Sequence, residues 1–183
     1  MSGRVLEIGC ADCDWLKWAK LADPTLELRG VDWRPCERAG AFVVQGDVRN
    51  QMYSSASFDA VVSLSAIEHI GLGHYEDDPI DPDGDIVTIQ HAYRWLKPGG
   101  WLYVDVPYRP DVPFQVVGTA YRCYDDDALG RRLLRPFWGE GGRIAWMGYA
   151  HASRPSRLLP KPTEAPLCGK PYYYAACWCQ KTV

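Results

Sequence analysis

Apolar residues along this chain gather into short runs that end in an acidic or small residue, with stretches of helical period between them. The first run, Arg4-Val5-Leu6-Glu7-Ile8-Gly9-Cys10-Ala11-Asp12-Cys13, reads as a buried strand, a tight turn and the start of a helix. Asp12 or Asp14 caps that helix, Trp15, Trp18, Ala19 and Ala22 share its apolar face, and Asp23-Pro24 stops it. Further strands are expected over Thr25–Asp32, Ala41–Gly46 and Phe58–Leu64, the first two joined through a very short helix. The third of these is nearly all apolar, as in a strand covered on both faces. A helix begins near Asp83–Asp85, buries Ile86, Ile89, Tyr93 and Leu96, and ends in the turn Lys97-Pro98-Gly99-Gly100. After it come a strand over Trp101–Val106, a capped helix over Asp125–Leu134 and a strand over Gly142–Ala150. A connection carrying Pro155, Pro160, Pro162, Pro166 and Pro171 leads to the last strand, Tyr172–Cys179.

Strands alternating with helices predict an α/β fold: a doubly wound, mostly parallel, seven-stranded sheet with right-handed crossovers and helices on both faces. No helix separates the final two strands, so that pair is expected to be antiparallel. Ligands of such sheets bind at the carboxyl ends of the strands. A length of 183 residues suits one domain, residues 1–183, with residues 4–108 as its nucleotide-binding half and 109–183 as the half that builds the second site.

Composition narrows the function classes. The net charge of -3 argues against a general nucleic-acid binder. No apolar run approaches the roughly 20 residues needed to cross a bilayer, and the first strand follows Met1 too closely for a signal peptide. A cytoplasmic protein without a membrane partner is expected. Seven cysteines without framework spacing fit reduced thiols. Cys10, Cys13, Cys177 and Cys179 do not converge on the expected strands, so they read as packing thiols and no metal site is expected.

The first turn suits a nucleotide, because small residues let the backbone approach and a helix start offers free N–H groups. A dinucleotide fingerprint would need glycines where Ala11 and Asp14 stand. Three successive strands instead carry an acid in or just after them: Glu7, Asp32 and Asp47.

The ordered set Glu7-Ile8-Gly9-Cys10-Ala11, Gly30-Val31-Asp32, Gly46-Asp47-Val48, Ser57-Phe58-Asp59-Ala60-Val61-Val62-Ser63, Ile67-Glu68-His69-Ile70 and Leu96-Lys97-Pro98-Gly99-Gly100 resembles class I, Rossmann-like, S-adenosylmethionine-dependent methyltransferases. It is most similar to the small-molecule, methyltransferase type 11-like branch, and the resemblance covers about residues 4–108. It implies S-adenosyl-L-methionine as cofactor and S-adenosyl-L-homocysteine as product. By that resemblance Asp32 accepts from the ribose hydroxyls, Trp33 flanks the adenine, Asp47 takes the adenine amino group and the Val48 amide reads a ring nitrogen. Glu7, Gly9, Cys10 and Ala11 line the methionine end, and Ser63 and Leu64 offer carbonyls to its amino group. The family usually has glycine where Ala11 stands. It also places helices before the first strand, which here begins four residues into the chain. That wall is expected from the loops, from a partner, from a second copy of the chain or from the substrate.

His69 stands where the methyl acceptor belongs, and its near-neutral pKa suits removal of a hydroxyl proton. The sequence equally allows it a turn-capping role. A metal-dependent 2′-O-methyltransferase would need a Glu at Ser65. The six acidic residues from Glu76 to Asp85 lack an EF-hand pattern and read as a solvated loop. Tyr108, Tyr121, Tyr124, Trp138, Trp146 and Tyr149 are candidates for an aromatic acceptor pocket. Arg131 to Lys170 holds eight basic and two acidic residues, either a solvated face or a site for an anionic acceptor. The expected activity is methylation of a hydroxyl, or else an amine, of a small molecule such as a sugar or natural-product intermediate. The alternatives are a macromolecular acceptor, RNA or protein, and a catalytically silent cofactor-binding subunit.

Overall fold

The computed structural model describes residues 3–75, 78–139, 141–151, 154–159 and 173–182, with the side chains of 151 and 154–159 left out. Eight strands form one sheet: β1 (Arg4–Ile8), β2 (Glu27–Asp32), β3 (Ala41–Gln45), β4 (Phe58–Leu64), β5 (Leu96–Tyr108), β8 (Gly142–His151), β9 (Arg154–Leu159) and β10 (Tyr173–Lys181). Their order across the sheet is β3-β2-β1-β4-β5-β10-β8-β9. Pairing is parallel from β3 through β5, and β10 lies antiparallel between β5 and β8. The seven expected strands are all present. The eighth, β9, is an antiparallel edge strand inside the proline-bearing connection, where the prolines masked its pattern. A small hairpin, β6 (Gln115–Val117) and β7 (Tyr121–Cys123), stands apart from this sheet.

Helix α1 (Trp15–Ala22) and helix α2 (Gly84–Trp95) follow β1 and precede β5. A continuous helical segment, 126–138, contains a π-helical stretch over Leu129–Leu134 and begins at Asp125, whose carboxylate accepts from the Ala128 amide at 2.7 Å. No helix forms between β2 and β3, because Pro35 and Gly40 break the short connection.

Two expected helix faces are met only in part. In α1 only Leu16 is buried, while Trp18 is 61% exposed. The helix meets the sheet mainly through Leu16, so it covers a narrow strip. Of the stripe expected for α2, Ile89 and Leu96 are buried and Tyr93 packs against the core, while Asp85, Thr88, Ala92 and Trp95 widen the buried face. Two polar groups enter that face because they are satisfied inside: Thr88 donates to the Gly84 carbonyl at 2.6 Å, and Asp85 is bonded from several sides.

The main core lies between the sheet and the α2 and 126–138 layer, with Phe58, Trp95, Leu102, Val104, Val106 and Phe137 at its centre. Burial of one such side chain contributes about 1.5–3 kcal/mol. A smaller cluster, Val5, Cys10, Leu16, Leu28 and Val62, fixes α1 against β1 and β2. It depends on Gly30, where a Cβ would stand 2.7 Å from the Cys10 Sγ and 3.2 Å from Leu16. This packing holds the turn after β1 close to the end of β2.

Candidate active site

At the carboxyl ends of β1 to β4 lies a cavity of about 360 Å³, a size that accommodates a nucleoside-sized ligand. Of the residues expected to bind or react, Gly9, Asp32, Trp33, Asp47, Val48, Leu64 and His69 line it. Glu7, Cys10, Ala11 and Ser63 do not contribute to its wall. Cys10 is buried beneath the turn, with its Sγ 3.7 Å from that of Cys36. Ala11 acts through its backbone, its amide donating to Asp32 Oδ2 at 2.8 Å. That bond ties the first turn to the end of the second strand.

Gly9 has φ +79, and a Cβ there would lie 2.2 Å from the Ala66 Cβ. Glycine is therefore required by the left-handed backbone and by the close approach of the loop after β4. The next loop residue, Ser65, is itself held at φ 46, and its amide and hydroxyl both donate to Asp105 Oδ1, at 2.6 and 2.8 Å.

Arginines that the sequence reading did not single out complete the walls. Arg34 donates from its amide and Nε to Asp32 Oδ1, at 2.9 and 3.2 Å, and reaches Asp12 at 2.6 Å. Its guanidinium lies 4.5 Å from the Tyr75 ring centroid, across the cavity mouth. Arg38 holds the turn from below by donating to the carbonyls of Ala11 and Cys13. Arg49 pairs with Asp47 at 2.8 Å and with Asp78 at 3.2 Å.

The expected solvated acidic loop is instead stapled by arginines. Arg122, fully buried on β7, donates to the backbone carbonyls of Ile70, Asp81 and Pro82. Asp85 accepts from Tyr124 at 2.8 Å and from two Arg132 nitrogens at 2.8 and 2.7 Å. Glu76 and Asp77 lie outside the described residues. Among the described residues no three His, Cys, Asp or Glu side chains converge as metal ligands.

His69 also lines the cavity. Its Nδ1 is bonded to the Ala120 carbonyl, which only accepts, so Nδ1 carries the proton and Nε2 keeps its lone pair. Burial holds its pKa below the ordinary value. The ring stacks on His74 at 5.4 Å, with Tyr121 edge-on at 6.4 Å. Glu68 is buried beside it with Oε1 3.7 Å from Nε2, and Oε2 has no hydrogen-bond partner. Burial pushes the Glu68 carboxyl up to about 8. Glu7 is likewise buried, both its oxygens are unpartnered, and desolvation raises it to about 7 against the pull of Cys13 and Arg38. The anticipated aromatic pocket does not form as a unit: Tyr108, Tyr124 and Tyr149 belong to the core, while Trp138 and Trp146 are 50% and 40% exposed.

Solved structures share this fold. A 1,6-didemethyltoxoflavin-N1-methyltransferase from Burkholderia thailandensis, solved with S-adenosylhomocysteine, aligns with a TM-score of 0.63 at 14% identity, over 100% of this chain and 72% of that one. An S-adenosylmethionine-dependent methyltransferase from Archaeoglobus fulgidus aligns with a TM-score of 0.64 at 16% identity, over 98% and 86%. This chain has the class I methyltransferase fold. The same fold also serves the [4+2]-cyclase SpnF, which aligns with a TM-score of 0.66 at 17% identity, over 100% and 76%. Residues 42–124, less than half of the chain, match a family described as Caenorhabditis protein of unknown function, DUF268. No curated protein matches the sequence. Among the described residues of this methyltransferase-fold chain, no helix is long and apolar enough to cross a membrane.

Proposed function

We propose that this chain is an S-adenosylmethionine-dependent methyltransferase acting on a hydroxyl, in preference to an amine, of a small molecule. The observation that carries the reading is one cavity lined by Gly9, by Asp32 and Asp47 at or just after the ends of adjacent strands, and by His69. Asp32 fits the ribose of the cofactor once the half-buried Arg34 side chain, which donates to both carboxylate oxygens, swings aside, while the Ala11 amide keeps its bond to Oδ2. Asp47, Val48 and Trp33 would hold the adenine, and Leu64 the methionine end. The cofactor supplies an already activated methyl group, so the protein's work is alignment of the acceptor and removal of its proton. Nε2 of His69, fixed as a lone-pair nitrogen by Ala120, is the group that receives that proton.

Thermal unfolding with S-adenosylhomocysteine tests the cofactor. A ligand at one hundred times its Kd stabilises the native state by about 2.7 kcal/mol. The wild type is expected to show such a gain and Asp32→Ala to lose it. No gain for the wild type at millimolar ligand overturns the reading, and a use of the fold like that of the cyclase then takes its place.

A further inference from the structure

Two thiols meet behind the cavity wall. Cys10 belongs to the turn after β1, whose Gly9, Asp12 and Cys13 line the cavity, and Cys36 to the connection after β2, whose Trp33 and Arg34 line it too. Their sulfurs lie 3.7 Å apart, one S–H donating to the other.

The two differ in freedom. Cys10 is fully buried in the small cluster with Leu16, and a Cβ on Gly30 would stand 2.7 Å from its Sγ. Burial raises its pKa, and the neighbouring Cys36 adds to the rise. Cys36 is half-buried between exposed Pro35 and Glu37, in a connection that is neither helix nor strand. A disulfide bond is about 2.05 Å long, so Cys36 has to approach by roughly 1.7 Å, which its loop can supply and the packing around Cys10 cannot. Other described cysteines are placed differently. Cys13 Sγ accepts from the Trp15 amide at 3.3 Å, and Cys123, Cys177 and Cys179 are buried on β7 and β10.

We propose that Cys10 and Cys36 are a reversible dithiol–disulfide pair, closed by exchange with a small-molecule disulfide such as oxidised glutathione, and that closing it weakens ligand binding in the cavity. Cys36, as thiolate, attacks one sulfur of the oxidant, and the first glutathione leaves as its thiolate. Cys10 then gives up its proton and attacks the Cys36 sulfur, releasing the second glutathione. The protein loses two S–H bonds and gains one S–S bond. The oxidant's S–S bond takes up the two electrons and, as two thiols, the two protons.

Closure reaches the cavity through the chain. Pro35, with its fixed φ, joins Cys36 to Arg34, and the Arg34 amide and guanidinium are bonded to Asp32. Drawing Cys36 inward therefore shifts the wall formed by Trp33, Arg34 and Asp32. Arg38, two residues on, is bonded to the carbonyls of Ala11 and Cys13, so the shift is passed to the first turn as well. The identity of the ligand rests on the methyltransferase reading; the cross-link does not.

The full chain, equilibrated in glutathione buffers from fully reduced to fully oxidised, then alkylated and peptide-mapped, tests the pair. The expected product is a cross-link from Cys10 to Cys36, reversed by reduced glutathione and absent from Cys36→Ser. A Cys36 that stops at the glutathione adduct, or that links to Cys13 instead, overturns the proposal. The wild-type map decides this alone if Cys36→Ser does not fold. Titration of the same samples with S-adenosylhomocysteine is expected to give a Kd at least about fivefold higher for the oxidised wild type, the lower end of coupling between linked sites. Cys36→Ser is expected to keep one Kd in both buffers. Equal wild-type values overturn the proposal. The Trp33 indole signal in proton–nitrogen NMR, assigned with Trp33→Phe, reads the wall without ligand: it is expected to move on oxidation, and an unmoved signal overturns the proposal. Absence of binding by the reduced wild type, with the cross-link formed and the Trp33 signal moved, overturns the cofactor reading alone.

Discussion

Asp85 and Glu68 are both fully buried carboxylates close to Arg122, yet one is surrounded by donors and the other has an oxygen bonded to nothing. Asp85 lies within 3.6 Å of Arg122 and accepts from Arg132 and Tyr124. Glu68 contributes only its backbone carbonyl to Arg122, at 3.4 Å, and its side chain turns toward His69. Arg122 thus organises both regions while neutralising one. The contrast separates two uses of a buried acid. A fully satisfied network holds the loop in place, whereas a partly satisfied carboxyl responds to pH and to whatever enters the cavity.

The largest expected effect breaks the shared element. Arg122→Met removes the donor to four backbone carbonyls and leaves Asp85 without one of its cations. Loss of one partner from a buried pair costs about 3–5 kcal/mol, and chemical denaturation is expected to show a loss of that size.

A smaller effect sharpens the unsatisfied side. Glu7 is raised from 4.5 to about 7. The native state then binds its proton more tightly than the unfolded chain does, so the contribution is fully present below the unfolded value and is lost as pH rises to about 7. Each group of this kind changes stability by at most about 1.4 kcal/mol per pH unit. Glu7→Gln is expected to flatten the decline in unfolding free energy between pH 5 and 7. The decline persists unchanged if Glu7 does not titrate in that window.

The smallest effect is the control on the satisfied side. Arg131 pairs with Asp127 one helical turn away, and both side chains are largely exposed. Arg131→Ala is expected to cost no more than about 0.5 kcal/mol. A loss comparable to that of Arg122→Met would show that exposure does not distinguish the two classes of arginine.

Most of the sheet was legible in the sequence because each strand ends in local chemistry. Gly9, Asp32, Gly46 and Asp47 close their strands with residues that cannot extend them, and seven strands were placed from such signals. β9 was not, because Arg154–Leu159 lies in a proline-bearing stretch and gains its partner only from β8. Trp18 shows the same limit for helices, since a stripe of apolar residues does not tell how much sheet lies beneath it. In the site, Asp32, Asp47 and His69 were visible through their order along the chain. Arg34, Arg49 and Arg122 were not, because their partners lie in loops whose meeting depends on tertiary packing. A single arginine within Tyr121-Arg122-Cys123-Tyr124 was the only local hint of a buried cation.

Asp47 is both a wall of the cavity and, through Arg49, an anchor of the acidic loop whose Tyr75 and Asp78 form part of the rim. A ligand that donates hydrogen bonds to Asp47 competes with Arg49 and loosens that anchor. By thermodynamic reciprocity, loosening the loop favours the ligand at Asp47 to the same degree. Occupancy and access are therefore linked through one guanidinium, and because the pairs it makes are almost buried, added salt should change that link little.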